Sequence, residues 1–168
     1  PLNLAPTTST TVTLVMGDAL AIALLESRGF SAEDFAFSHP GGALGRKLLL
    51  RVSDIMHEDQ EVPRVEPETA LHNALLEMTE KGFGMTTVVS DDNTLLGVFT
   101  DGDLRRLLVN GADLKSTKVC DVASPVPLTI GPDEMMGTAE AKMLESRVQC
   151  LVVIAETGHV DGVIQIYE

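Results

Sequence analysis

Between Thr100 and Arg106 the chain reads Thr-Asp-Gly-Asp-Leu-Arg-Arg. A hydroxyl (Thr100), two carboxylates (Asp101, Asp103) and two guanidiniums (Arg105, Arg106) fall within this short stretch. If a helix opens here, its free N–H groups and the hydroxyl suit a phosphate. A carboxylate is a pure acceptor and suits the hydroxyls of a diol, and an arginine supplies the cation. The same residues also suit plain capping, with Thr100 as N-cap and Asp101 and Asp103 complementing the helix dipole. A second candidate is His39, in the string Ser38-His-Pro-Gly-Gly-Ala-Leu-Gly-Arg-Lys47. A histidine can shuttle protons or polarise a carbonyl near neutral pH. Pro40-Gly-Gly42 would let the backbone approach a substrate closely. Taken alone, His39 reads as a structural histidine at a domain junction. His57, His72 and His159 have no ligand spacing, so no metal site is expected.

The elements that would position these residues come in two copies. A shift of 65 residues places Pro67 on Pro132, Ala74 on Ala139, Met78 on Met143, Val88 on Val153 and Gly97 on Gly162. Just upstream, Val52-Ser-Asp54 resembles Val119-Cys-Asp121. Each copy starts with a short extended piece, at 62–65 and 127–130. Pro67-Glu68 and Pro132-Asp133 then read as helix starts. An amphipathic helix follows, with Leu71, Ala74 and Met78 on one face of the first and Ala139 and Met143 on one face of the second. Two β-branched strands joined by a polar turn close each copy. The first copy then opens a helix over 101–108. The second stops at Glu168 without that helix, so the native chain is expected to continue or to end in a disordered tail.

Composition narrows the function classes. The chain has 168 residues, 44% of them hydrophobic and 22% charged, as in an ordinary globular protein. Aromatics make up only 4%, so the core must be aliphatic. The net charge of -13 argues against nucleic-acid partners, whose phosphates need lysine and arginine. Cys120 and Cys150 have no Cys-x-x-Cys spacing and read as core thiols in a reducing cytosol. The apolar run from Leu14 to Leu25 is broken by Gly17 and Asp18, and is expected to be too short and too polar to span a membrane. The expected location is the cytoplasm.

The order strand, helix, strand, strand, helix, with Val52-Ser-Asp-Ile-Met56 at its start and Gly97-Val-Phe-Thr-Asp-Gly-Asp-Leu104 at its close, resembles a CBS module. Two copies resemble a tandem CBS pair, which folds face to face. The fold class expected is α/β (α+β), with CBS modules at 52–110 and 119–168. In that family a Ser or Thr contacts a nucleotide phosphate, and an Asp three residues on accepts from the ribose. The resemblance implies these roles for Thr100 and Asp103, with Asp101 alongside and Arg105 or Arg106 as the cation. The second copy carries Gln165 and Glu168 instead, a poorer match, so at most one good nucleotide site is expected.

Residues 1–51 lie outside the repeat. Thr7-Thr-Ser-Thr-Thr11 leads into a helix expected to run to about Ser27, with Gly29 as its stop and a short helix from Ser31. The string 38–47, Leu4-Ala-Pro-Thr-Thr-Ser-Thr-Thr11 and Met16-Gly-Asp-Ala-Leu-Ala21 resemble arabinose-5-phosphate isomerases, in which a sugar isomerase (SIS) domain precedes a CBS pair. Residues 1–51 then resemble the terminal helices of that domain and a linker. Most of the domain would lie upstream, so these residues are expected to pack loosely or be disordered. The resemblance implies interconversion of D-ribulose 5-phosphate and D-arabinose 5-phosphate through an enediol, in synthesis of 3-deoxy-D-manno-octulosonic acid for lipopolysaccharide. His39 would contribute to catalysis in the intact enzyme, and this chain alone would be inactive. No cofactor is implied. The implied partners are a nucleotide or nucleotide-sugar effector, either an adenine nucleotide or the cytidine-activated octulosonate, and further copies of the chain (a tetrameric parent, a dimeric fragment). Two other readings stand beside this one: a ligand-free assembly module, and a non-enzymatic nucleotide sensor.

Overall fold

The computed structural model describes residues 6–38, 42–111 and 113–165. The chain divides into two compact units, 1–49 and 50–168.

The first unit contains α1 (Thr8–Ser27), α2 (Ala32–Ser38) and α3 (Ala43–Leu49). Gly29 follows α1 with φ +64, the left-handed stop that its sequence suggests. Ser31 and Asp34 cap α2 reciprocally: Ser31 N–H donates to Asp34 Oδ2 at 2.8 Å and Asp34 N–H donates to Ser31 Oγ at 3.1 Å. The structure corrects the sequence reading of α1. The helix runs 20 residues, and by length and composition it is long and apolar enough to cross a membrane. Its threonine-rich first turns extend the apolar run because threonine is only weakly polar. A buried helix of a larger domain meets the same criteria. No residue of α1 is buried, and Leu14, Met16, Leu20 and Ile22 are each more than half exposed.

The second unit is built from the two copies. The first has β1 (His57–Glu58), β2 (Arg64–Val65), α4 (Leu71–Lys81), β3 (Met85–Val89), β4 (Leu95–Thr100) and α5 (Asp101–Val109). The second has β5 (Thr129–Ile130), α6 (Met136–Ser146), β6 (Cys150–Ile154) and β7 (Val160–Gln165). In each copy a short strand pairs parallel with the next, β2 with β3 and β5 with β6. A hairpin then pairs β3 with β4 and β6 with β7, each with a register shift, after Val88 and after Val153. All five residues of β3 are buried. That is why the strand reads as an unbroken apolar and β-branched run, with one face on a helix and the other on the second sheet. Between the sheets, Val62, Met85, Val89 and Val98 meet Val152, Val160 and Val163. Among the described buried side chains, Thr87 donates to Pro63 O at 2.6 Å, while Thr86 Oγ1 has no partner where the second copy has Leu151.

The opening segment of each copy packs on the other copy. Val52 joins the core of Ile130, Met136, Ala139, Met143, Leu151, Val153 and Ile164. Val119 joins that of Leu71, Ala74, Met78, Val88 and Phe99. The backbone follows the same exchange. Val52 and Ser53 N–H donate to Glu134 and Pro132 O at 2.8 and 2.9 Å, and Val119 and Cys120 N–H donate to Thr69 and Pro67 O at 2.9 and 3.1 Å. This explains a difference from the sequence reading. The helices start at Leu71 and Met136, not at Pro67 and Pro132, because those earlier carbonyls serve the exchanged segment. The first N–H groups of α4 are satisfied in turn by linker carbonyls: Leu71 N–H donates to Thr117 O at 2.9 Å and His72 N–H to Leu114 O at 3.2 Å.

Candidate ligand-binding cleft between the two copies

The end of β4 and the start of α5 carry the residues singled out from sequence. Thr100 is the N-cap of α5, in extended conformation. Its Oγ1 accepts from Asp103 N–H at 3.3 Å. Its own N–H and O–H donate to Asp103 Oδ2 at 2.9 and 2.6 Å. The second oxygen of Asp103 pairs with Arg106. Asp101 N–H donates to Gly84 O at 3.0 Å. Gly84 has φ +66, and a Cβ there would lie 3.2 Å from Asp101 Oδ2, so glycine lets the β3 approach pass close to the helix start.

Thr100, Asp101, Asp103, Arg105 and Arg106 all line one cleft of about 560 Å³, a size suited to a small ligand. The second copy lines it with Ser124, Val126, Pro127, Leu128 and 147–150. Phe83, Val98, Val148 and Val152 give it apolar surface. Cys150 lines it too, and burial pushes its thiol up to about 12, so at neutral pH it is an uncharged, weakly nucleophilic wall group. A cleft lined by both charged and apolar groups suits a ligand with a phosphate and a planar ring.

Gln165 does not join this cleft. It lines an adjoining cavity of about 360 Å³ with Met78, Thr79 and Gln149, and its Oε1 is buried without a partner. Glu168 and His39 lie outside the described residues. The sequence reading missed Arg147, Gln149 and Cys150. A signal for Arg147 was present in the repeat: it aligns with Gly82, and both end their helices in left-handed conformation, φ 55 and 77. Among the described residues no group of His, Cys, Asp and Glu is placed to hold a metal.

The CBS domain family matches residues 52–110 and 119–167. The chain belongs to the CBS-domain family. Its CBS pair has the architecture of CBSX2 solved in complex with AMP, with TM-score 0.61 and 29% identity over 68% of this chain and 89% of that one. Over its whole length the chain is 50% identical to the arabinose 5-phosphate isomerase KdsD of Escherichia coli K12, and covers 51% of that protein. It is 54% identical over 154 residues to the Pseudomonas aeruginosa KdsD, covering 92% of this chain and 47% of that protein. The CBS pair and the helices before it thus span about half the length of the curated relatives they match.

Proposed function

We propose that this chain is the regulatory CBS-pair portion of an arabinose-5-phosphate isomerase that interconverts D-ribulose 5-phosphate and D-arabinose 5-phosphate in the cytoplasm, on the route to lipopolysaccharide octulosonate. The 50% identity along the whole chain supports the parent activity. The helices α1–α3 are then the last helices of the sugar isomerase domain, and His39 contributes to its active site. The all-round apolar surface of α1 supports this, since a helix buried inside a larger domain carries such a surface. The chain alone lacks the rest of that domain and carries no turnover.

The observation that carries the regulatory role is the cleft that Thr100, Asp101, Asp103, Arg105 and Arg106 line together with residues of the second copy. It binds one nucleotide or nucleotide-sugar effector per chain, an adenine nucleotide or the cytidine-activated octulosonate. The start of α5 and Arg105 hold the phosphate. A second reading, assembly without a ligand, has one observation in its favour: both oxygens of Asp103 are already engaged by Thr100 and Arg106. Exposed Leu76 and Leu144, on the outer helices, are compatible with self-association in either reading. Titration calorimetry of the chain separates the two. Saturable heat at one site per chain, with an adenine nucleotide or the cytidine-activated octulosonate, is expected. Absence of heat with all of them would leave the assembly role.

A further inference from the structure

We infer that Arg147 makes this cleft selective for nucleotides that carry a second anionic group, a phosphate or a carboxylate; this rests on the effector reading above. Arg147 ends α6 with φ 55 and ψ 42, a left-handed conformation that a residue with a side chain adopts reluctantly. The first copy makes the corresponding turn with Gly82 at φ 77. The turn therefore does not require arginine, and local folding does not explain the residue chosen. What the arginine adds is charge in the cleft, contributed by the second copy.

Three guanidiniums line this one cleft, in a chain with only 12 lysines and arginines against 25 aspartates and glutamates. Arg106 is engaged by Asp103. Among the described residues, Arg105 and Arg147 have no side-chain hydrogen bond or ion pair. They come from different copies, Arg105 from α5 and Arg147 from the end of α6. One phosphate at the start of α5 occupies Arg105 and Gly102 N–H, since the N–H groups of Thr100, Asp101 and Asp103 are already engaged. Arg147 then faces a different part of the ligand. On an acidic surface, a cleft with unpaired arginines concentrates the field that draws an anion. The cleft volume of about 560 Å³ leaves room for a mononucleotide with an added charged group.

The test compares CMP, CDP and the cytidine-activated octulosonate, with AMP and ADP in parallel, on the 168-residue chain and on Arg147→Gly. Glycine suits the left-handed turn, so the variant is expected to melt no lower than the parent. The parent should bind CDP, ADP or the acidic nucleotide sugar at least about ten-fold tighter than the matching monophosphate, the value of one charge-assisted contact. Preference for CDP and ADP assigns a phosphate to Arg147, and preference for the nucleotide sugar alone assigns its carboxylate. Arg147→Gly should erase that preference while leaving monophosphate affinity within about two-fold, because the groups that hold the first phosphate remain. A preference that survives in Arg147→Gly, a parent with no preference, or an equal loss for every ligand would overturn the inference while leaving effector binding intact. A parent that binds none of the five defeats the effector reading itself, and this inference with it.

Discussion

Val52→Asp should lower the stability of residues 50–168 by about 3–5 kcal/mol, the scale of an unpaired charge placed in a core. Val52 is fully buried. Its neighbours are Ile130, Met136, Ala139, Met143, Leu151, Val153 and Ile164, all from the second copy. The location of the damage is therefore as informative as its size. Hydrogen exchange should accelerate first in α6, β6 and β7, more than sixty residues from the substitution in sequence. Val119→Asp should do the reverse and loosen α4 and β3 first. Early loss of protection in α4 after Val52→Asp would show that each opening segment packs on its own copy, and the exchanged arrangement would be wrong.

Gly162→Ala is the second large effect, about 3 kcal/mol or on the order of 10 °C in Tm. A Cβ at Gly162 would sit 2.6 Å from His57 O and 3.0 Å from Met56 Sδ. The first obstacle is backbone, held by the antiparallel pairing of β1 with β7, and cannot swing aside as a side chain can. Gly97 repeats the geometry in the other copy, where a Cβ would lie 2.7 Å from Ser124 O. Gly97→Ala should therefore cost a similar amount, and the paired losses would mark the two crossing points of the exchange. Differential scanning calorimetry of both variants checks this. A shift below about 2 °C in either would mean that the crossing strand yields easily.

Much of this fold is legible in the sequence because the two copies make the same local choices. Glycine recurs at the crossing points, methionine and alanine on the helix faces, and β-branched residues in the strands. The exchange is not legible. Val52-Ser-Asp54 has the same propensity whichever sheet it packs on, and only the tertiary fold decides. The displaced helix starts have the same origin: Pro67 and acidic Glu68 look like a first turn, but the Pro67 and Thr69 carbonyls serve Cys120 and Val119. The ends of α1 are legible in its hydroxyl-rich start and in Gly29, whereas its apolar length is not, because the run from Leu14 to Leu25 leaves out the weakly polar threonine turns before it.

The site divides in the same way. The Thr100–Arg106 half is continuous in sequence and can be read there, including its alternative as a cap. The structure shows that Thr100 and Asp103 do cap α5, and that the same residues line the cleft. Arg147 is separated from Thr100 by 124–128 and α6, and reaches the cleft only because the copies pack face to face. The Asp103–Arg106 pair was also invisible, although its i,i+3 spacing permits it. It changes the choice of probe. Asp103→Ala would remove a cap as well as a ligand contact, so its effect on binding cannot be read cleanly. Arg105→Gln touches no cap and is the better variant.

If the cleft between the two copies is an effector site, thermal unfolding of the chain with AMP, ATP, CMP and the cytidine-activated octulosonate will show it. A ligand present at 100 times its dissociation constant should stabilise residues 50–168 by about 2.7 kcal/mol, a plain rise in Tm. Arg105→Gln should reduce that rise for the same ligand concentration without lowering the Tm of the unliganded chain. No rise with any of the four compounds, at concentrations into the millimolar range, would contradict an effector site and leave the CBS pair as an assembly element.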